Sequence, residues 1–341
     1  MNHTLIHNRL SLWYSQHGRV LPWRETADPY HIWISEIILQ QTRVNQGLGY
    51  YMRLLQRFPT VQSLAEASED EVLLYWQGLG YYSRARNMHK AAQIITSRLA
   101  SQGNILTEID NVYDFWRTLP GIGDYTAGAI ASFAYDLPYI AMDGNVYRVL
   151  SRIYDCEIPF DSSAGKKHFR QLGEGLLDRA HPRVYNSAIM EFGALHCTPT
   201  SPDCNHCPIQ ECCMAYVHGT VDSLPVRKPR TPLRDRYLNY TIYCTPDMRT
   251  IIRQRREKDI WQHLYEFIVE ESEQLQPTPP NSPSVDLTHV LLHQRLHARF
   301  HIKKVSELPQ IPDTIIIALS DIDDYAVSRL TLNALEKLLK H

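Results

Sequence analysis

The chain has 341 residues, of which 44% are hydrophobic and 21% charged, and a formal net charge of −2. That length has room for two separate cores, and the composition is that of an ordinary soluble globular protein. The longest aliphatic run, at 315–319, is far too short to cross a bilayer. The near-neutral balance excludes a chain that advertises a nucleic-acid partner through bulk charge.

The first residues, MNHTLIHNRLSLWY, alternate polar and apolar character at helical spacing. They lack the apolar stretch of a signal peptide, so a cytoplasmic address without membrane partners is expected. Helical spacing continues to about residue 217, as at 32–41, 70–76, 85–99, 126–133 and 146–153, with Gly and Pro between segments. The expectation for this region is all-α.

In the first of these segments, Trp33, Glu36, Gln40 and Arg43 share one helical face. A helical glutamate is ordinarily a solvated surface residue. Here Trp33, Ile37 and Ile38 surround it, which predicts partial desolvation and a raised pKa, the property of a proton donor. Further along, Gly78-Leu79-Gly80-Tyr81-Tyr82 is a glycine-loosened turn. With Gln41 it offers polar, apolar and aromatic candidates for a wedge that extrudes a base, and the flanking glycines favour an exposed tip for Tyr81 over a core position.

The segment LPGIGDYTAGAIASF at 119–133 places Gly121 and Gly123 in a tight turn between helices. Both glycines permit positive φ and bare the backbone, so amide groups can touch a phosphate. Ala127, Gly128 and Ala131 allow close packing of the following helix, whose dipole adds positive potential without Lys or Arg. Such contacts position a duplex without reading its sequence. A lone G-x-G would suit a plain helix corner; the proline and the small-residue helix make this one more specific.

Asp143, in Met142-Asp143-Gly144-Asn145-Val146, stands at a helix start where amides and dipole are expected to keep it ionised. Alone it is an N-cap. Paired with Glu36 it meets the needs of N-glycoside cleavage, which takes one acid for the leaving base and one anion for the oxocarbenium sugar.

Cys197, Cys204, Cys207 and Cys213 form C-x6-C-x2-C-x5-C within 17 residues. That spacing suits an iron–sulfur cluster, whereas structural zinc favours two separated knuckles and only one C-x2-C pair is present. Cys212 could stand in for its neighbour only by breaking the spacing; Cys156 and Cys244 read as inert core thiols. A closed four-thiolate site has a structural or redox role, not a hydrolytic one.

RKPRTPLRDR at 227–236 holds five basic residues and one acid and reads as a basic linker. Beyond it, segments 238–244, 250–255, 265–270, 297–305 and 314–319 are β-rich. A loop at 274–284 has a disordered composition, and a helix is expected over 323–339. This second domain is expected to be α+β.

Taken together, LPWR, DPYHIWISEIILQQTRV, GLGYYSRARNMHKAA, LPGIGDYTAGAIASF, MDGNVYRVLSR and the cysteine loop resemble the adenine DNA glycosylase (MutY) family of the helix-hairpin-helix superfamily, in order, over residues 7–217. The resemblance implies a mainly α fold: a six-helix barrel over about 25–135 and a [4Fe-4S] cluster module from 1–24 and 136–222. After a linker at 223–236 it implies an α+β Nudix-like domain at 237–341 that recognises 8-oxoguanine. The implied protein is a monomer, and its partner is duplex DNA containing adenine opposite 8-oxoguanine or guanine. Glu36 resembles the general acid that protonates adenine at N7, and Asp143 the anion that steadies or captures the oxocarbenium ion. Tyr125 and Asn145 resemble its helpers. Arg24, Trp33 and Glu191 resemble parts of the adenine pocket, and Gln41 and Tyr81 the probes beside the orphaned base.

Tyr125 stands where bifunctional relatives carry a lysine. A phenol cannot form a Schiff base, so an intact strand with an abasic site is the expected product. Two departures stand out. Residues 198–203 hold no Lys or Arg, which weakens a DNA contact there, and the family's Phe-Ser-His triplet corresponds to His293-Gln294-Arg295. Gln294 and Arg295 retain donors for an oxidised guanine or a nearby phosphate. No glutamate-rich pyrophosphatase box lies in 237–341. The competing readings are a bifunctional oxidised-pyrimidine glycosylase/lyase, against which Tyr125 speaks, and a non-catalytic iron–sulfur DNA-binding protein, which has no use for two carboxylates.

Overall fold

A computed structural model describes residues 2–102, 106, 111–229, 232–280 and 282–339. Its helices are α1 (His3–His17), α2 (Pro29–Leu39), α3 (Val44–Arg57), α4 (Val61–Glu66), α5 (Glu69–Trp76), α6 (Ser83–Gln102) and α7 (Val112–Arg117). They continue as α8 (Asp124–Tyr135), α9 (Gly144–Ile153), α10 (Ser163–Leu176), α11 (Pro182–Leu195) and α12 (Met214–His218). Seven strands follow: β1 (Arg234–Cys244), β2 (Arg249–Gln254), β3 (Tyr265–Glu266), β4 (Ile268–Ser272), β5 (Ser284–Val290), β6 (Gln294–Lys304) and β7 (Thr314–Ala318). The last helix is α13 (Arg329–Leu339). Among the described residues, no helix is long and apolar enough to cross a membrane.

Two compact units organise the chain: residues 1–47 with 97–229, and residues 48–96 with 230–341. In the first, α1, α9 and α11 share a core of Ile6, Leu10, Trp13, Val149, Ile189 and Phe192, all buried. The repeating apolar positions of these helices converge there, which is what their spacing predicts. Local signals set the boundaries. Asp28 caps α2 by accepting from the amides of Tyr30 and His31, with Pro29 in the first turn. The helix stops at Leu39, and Gln41 follows with φ of 58°.

In the second unit a mixed sheet runs β4-β1-β6-β5, with β1 and β6 parallel, and an antiparallel sheet runs β3-β2-β7. Leu238, Tyr240 and Ile242 alternate with Leu296, Ala298 and Phe300 on neighbouring strands to form the core between sheet and helix.

Four sequence expectations change in detail. The segment 265–270 splits into β3 and β4, which belong to different sheets. Strand β5 was not anticipated: SVDLTHV is polar along much of its length and no residue in it is buried, because it is an edge strand. The closing helix starts at Arg329 after a 3-10 turn at Leu319–Asp324, so 323–328 are not part of it. β1 begins at Arg234, inside the basic tract. Arg230 and Thr231 of that tract and Asn281 of the 274–284 loop lie outside the described residues.

Candidate active site

A cavity of about 600 Å³ opens in the first unit, and its wall includes Arg24, Glu36, Gln40, Gln41, Tyr125, Asp143, Asn145 and Glu191. Residues far apart in sequence meet here because α2, the α8 N-terminus, the α9 N-terminus and α11 all border one space.

Glu36 comes from a helix that is apolar on nearly every side. Ile32, Trp33, Ile34, Ile37 and Ile38 are all buried, and Glu36 itself is 6% exposed. Burial pushes its pKa from 4.5 up to about 7; a hydrogen bond from Tyr125 opposes the rise, and the negative field of Asp143 adds to it. The Tyr125 hydroxyl is in turn pushed well above its ordinary range by burial and by both carboxylates, so it stays a protonated donor.

Asp143 is the N-cap of α9. It accepts from the Val146 amide at 2.7 Å and from the Asn145 side chain at 2.8 Å. The expectation that these donors dominate needs correction. Burial outweighs them and the carboxyl sits above its ordinary value, although the amides, Asn145 and Arg148 all pull it back. Asn145 Oδ1 accepts from Arg148 at 2.8 Å, and the same guanidinium donates to the Cys197 carbonyl at 2.8 Å and the Gly193 carbonyl at 2.6 Å. The approach is close enough to require glycine: a Cβ on Gly193 would lie 2.7 Å from the Cβ of Asn145.

Glu191 is 1% exposed and carries two arginines, with Arg19 Nε at 2.5 Å and Arg24 at 3.2 Å. Burial raises its carboxyl, but the hydrogen bond and charge of Arg19 and the charge of Arg24 outweigh it, leaving the group below its usual value. Arg24 also donates to the Tyr14 hydroxyl. Arg19 and Tyr14 were not singled out from the sequence; a helical tyrosine and a loop arginine carry no motif.

The placement of other predicted residues varies. Trp33 is fully buried against Trp116, with ring centroids 5.6 Å apart, and is not part of the cavity wall. Arg43 does not continue the Glu36 face, because α2 ends before it. Gly121 adopts φ of 77° as expected, but Gly123 has φ of −94°, so only the first needs its left-handed freedom. A Cβ at Gly123 would meet nothing within 4 Å, so the backbone at the start of α8 is not crowded on that side. Ala127, Gly128 and Ala131 are buried as the close packing of α8 requires.

In the second unit, Tyr81 is 46% exposed with φ of 48°, directly after Gly80, and Gly78 and Gly80 also have positive φ. His293, Gln294 and Arg295 occupy the β5–β6 turn and the start of β6. Gln294 Oε1 accepts from Arg236 at 2.9 Å, and Arg295 faces Asp235 at 3.6 Å. Val290 and Leu292 beside them are exposed, an apolar tip that sequence reading passed over.

Cys197, Cys204, Cys207 and Cys213 line one small cavity. Burial pushes the Cys207 thiol up to about 12 and raises Cys204 and Cys213, and the charge of Cys197 adds to all three. Arg152, 1% exposed, donates to the carbonyls of Thr198, Pro199 and Val221 and to Cys197 Sγ at 3.3 Å. Its role in holding the loop was not evident from sequence. Cys212 does not line the cavity, and Cys156 and Cys244 are buried elsewhere. Among the described residues, no group of three or more His, Cys, Asp or Glu side chains is arranged to hold a metal ion. Four soft sulfur donors around one shared cavity nonetheless match the donor set of an iron–sulfur cluster.

A glycine hairpin ahead of a capped aspartate, with a buried acid lining the same cavity, defines a class. Residues 34–172 match the family of HhH-GPD superfamily base excision DNA repair proteins, and residues 239–337 match the NUDIX domain family. Among solved structures, a thermostable thymine-DNA glycosylase aligns with a TM-score of 0.55 at 23% identity, over 63% of this chain and 97% of that one. Endonuclease III in a non-covalent DNA complex aligns at 0.52 and 22%, over 64% and 98%. The fold is therefore that of the helix-hairpin-helix glycosylases, followed by a Nudix-like domain.

The particular family follows from sequence. Adenine DNA glycosylase of Buchnera aphidicola subsp. Baizongia pistaciae is 35% identical over 262 residues, covering 75% of this chain and 71% of the relative. The rat enzyme is 41% identical over 233 residues (65% and 44%), and the human one 39% over 220 (62% and 39%). This chain belongs to the adenine DNA glycosylase family. It spans less than half the length of the mammalian relatives it matches.

Proposed function

We propose that the protein hydrolyses the N-glycosidic bond of adenine mispaired with 8-oxoguanine in duplex DNA, leaving an abasic site and an intact backbone. The observation that carries this reading is the pair of carboxylates on one cavity wall with unlike surroundings. Glu36, with a pKa of about 7, holds a proton at neutral pH and can give it to the base as the bond breaks. Asp143, with the Val146 amide and Asn145 directed at its oxygens, is the group suited to face a positively charged sugar. Tyr125 donates to Glu36 and orients it, and having no amine it offers no route to strand cleavage.

Arg24 and Glu191 shape the base pocket, while the uncrowded backbone at Gly123 and the turn at Gly121 suit a phosphate. Gln41 and Tyr81, both in strained left-handed conformations at chain turns, suit insertion beside the orphaned base.

Cys197, Cys204, Cys207 and Cys213 would hold a [4Fe-4S] cluster, which when bound supplies a closed anchor for the loop. In this reading residues 1–222 carry out the chemistry as a monomer. After the 223–236 linker, residues 237–341 read the oxidised guanine, with Gln294 and Arg295 at the turn. A duplex with adenine opposite 8-oxoguanine tests the proposal: the wild-type protein should produce alkali-labile sites at the adenine and none before alkali. Strand breaks without alkali, or no excision by protein that carries its cluster, would overturn it.

A further inference from the structure

The Tyr81 turn is held from behind by one residue of the segment just before α13. Val327 N–H donates to Gln77 Oε1 at 3.2 Å, and the Val327 carbonyl accepts from the Tyr82 hydroxyl at 3.4 Å. Gln77 and Tyr82 are the two residues that bound Gly78-Leu79-Gly80-Tyr81. Both polar groups of one peptide position therefore grip both ends of the turn. The Tyr82 hydroxyl also accepts from the Gly78 amide at 3.2 Å, which ties the turn to itself at the same atom.

The grip comes from a fixed support. Val327 is fully buried and forms a parallel bridge with Tyr265, whose amide donates to the Ala326 carbonyl at 2.8 Å. Tyr265 belongs to β3, which pairs with β2. A second tie lies one helical turn further on, where Arg86 donates to the Gln262 carbonyl at 2.6 Å.

The turn needs such support. Gly78, Gly80 and Tyr81 all have positive φ, and a tyrosine at φ of 48° is strained. On the inner side, Trp76 donates to the Gly80 carbonyl at 3.0 Å, and the Arg84 guanidinium lies 5.5 Å from the Tyr81 ring centroid. These contacts set where the exposed ring points.

We propose that Gln77 and Tyr82 are positioning residues through which the Nudix-like domain holds Tyr81 at a fixed height for insertion into the duplex. The inference rests on the reading of Tyr81 as a probe of the orphaned base. If the domain reads the oxidised guanine, this brace is the physical route by which that reading reaches the wedge.

The test uses the full chain with Gln77→Ala, Gln77→Glu and Tyr82→Phe. Insertion is followed by the fluorescence of 2-aminopurine placed beside the orphaned base, and excision by single-turnover rates opposite 8-oxoguanine and opposite guanine. Each of these hydrogen bonds removed should lower the ratio of the two rates about fivefold and reduce the fluorescence change. Gln77→Glu keeps an acceptor for the Val327 amide and should restore both. Unchanged ratio and fluorescence in Gln77→Ala and Tyr82→Phe, or an equal fall in both rates, would overturn the proposal. Because the fluorescence arm needs no excision, it reads the brace even if the wild-type protein fails to release adenine, which would instead sink the activity.

Discussion

Glu36 and Asp143 border the same cavity, and burial lifts the pKa of both. They differ in what else reaches them. Glu36 lies mid-helix, where backbone amides are already spent on the helix, and its hydrogen-bonding help comes from one phenol. Asp143 sits at a helix start, where free amides point at it and Asn145 adds a side-chain donor. Desolvation favours the neutral acid at both positions, but donors that favour the anion are concentrated at one. Position along a helix thus decides which carboxylate receives donors that favour its charged form.

The largest way to break this comparison is Glu36→Gln. Removing the proton donor should cost on the order of 10³-fold in single-turnover excision while duplex binding is retained. A variant keeping most of the wild-type rate would show that the acid lies elsewhere. Asp143→Asn should cost about 10²-fold, and it separates charge from capping because asparagine caps a helix as well as aspartate does. Its thermal unfolding midpoint should stay near wild type; a large drop would make Asp143 a structural cap first.

A titration sharpens the contrast. On the proposed role of Glu36 as proton donor, with its pKa at about 7, the excision rate should fall as pH rises through neutrality. The same shift acts on stability: folding favours the protonated form, so this carboxyl's contribution is full below pH 4.5 and is lost as pH rises through about 7. Tyr125→Phe removes a bond that lowers the Glu36 pKa. The descending limb should therefore move to higher pH while the maximal rate drops only about fivefold. A shift to lower pH would contradict the assigned hydrogen bond. The smallest effect on chemistry is expected from Trp33→Phe, which should change excision less than twofold but lower stability by roughly 1–2 kcal/mol through lost packing against Trp116.

The helical half was legible because its signals are local. Apolar spacing marked α2, α5, α6, α8 and α9, and glycine marked the hairpin. Glu36 was legible as a desolvated acid for the same reason that Trp33 was misplaced. A helix apolar on all sides guarantees burial, but its periodicity does not say which face meets the cavity. Arg152 and Arg148 escaped notice because arginines read as surface residues, and only the folded loop shows them bound to carbonyls. Strand β5 was hidden by its polarity, since an edge strand lacks the buried alternation that marks a central one.

The union of Arg19 and Arg24 with Glu191 has a consequence for how the protein comes into being. These partners are separated by some 170 positions in the chain, yet together they close one wall of the pocket. A polypeptide leaving the ribosome has the acid on α2 early, but the wall that frames it arrives only with α11. Until then the nascent chain holds Glu36 without the residues that frame the cavity, so the cavity can close only late in synthesis.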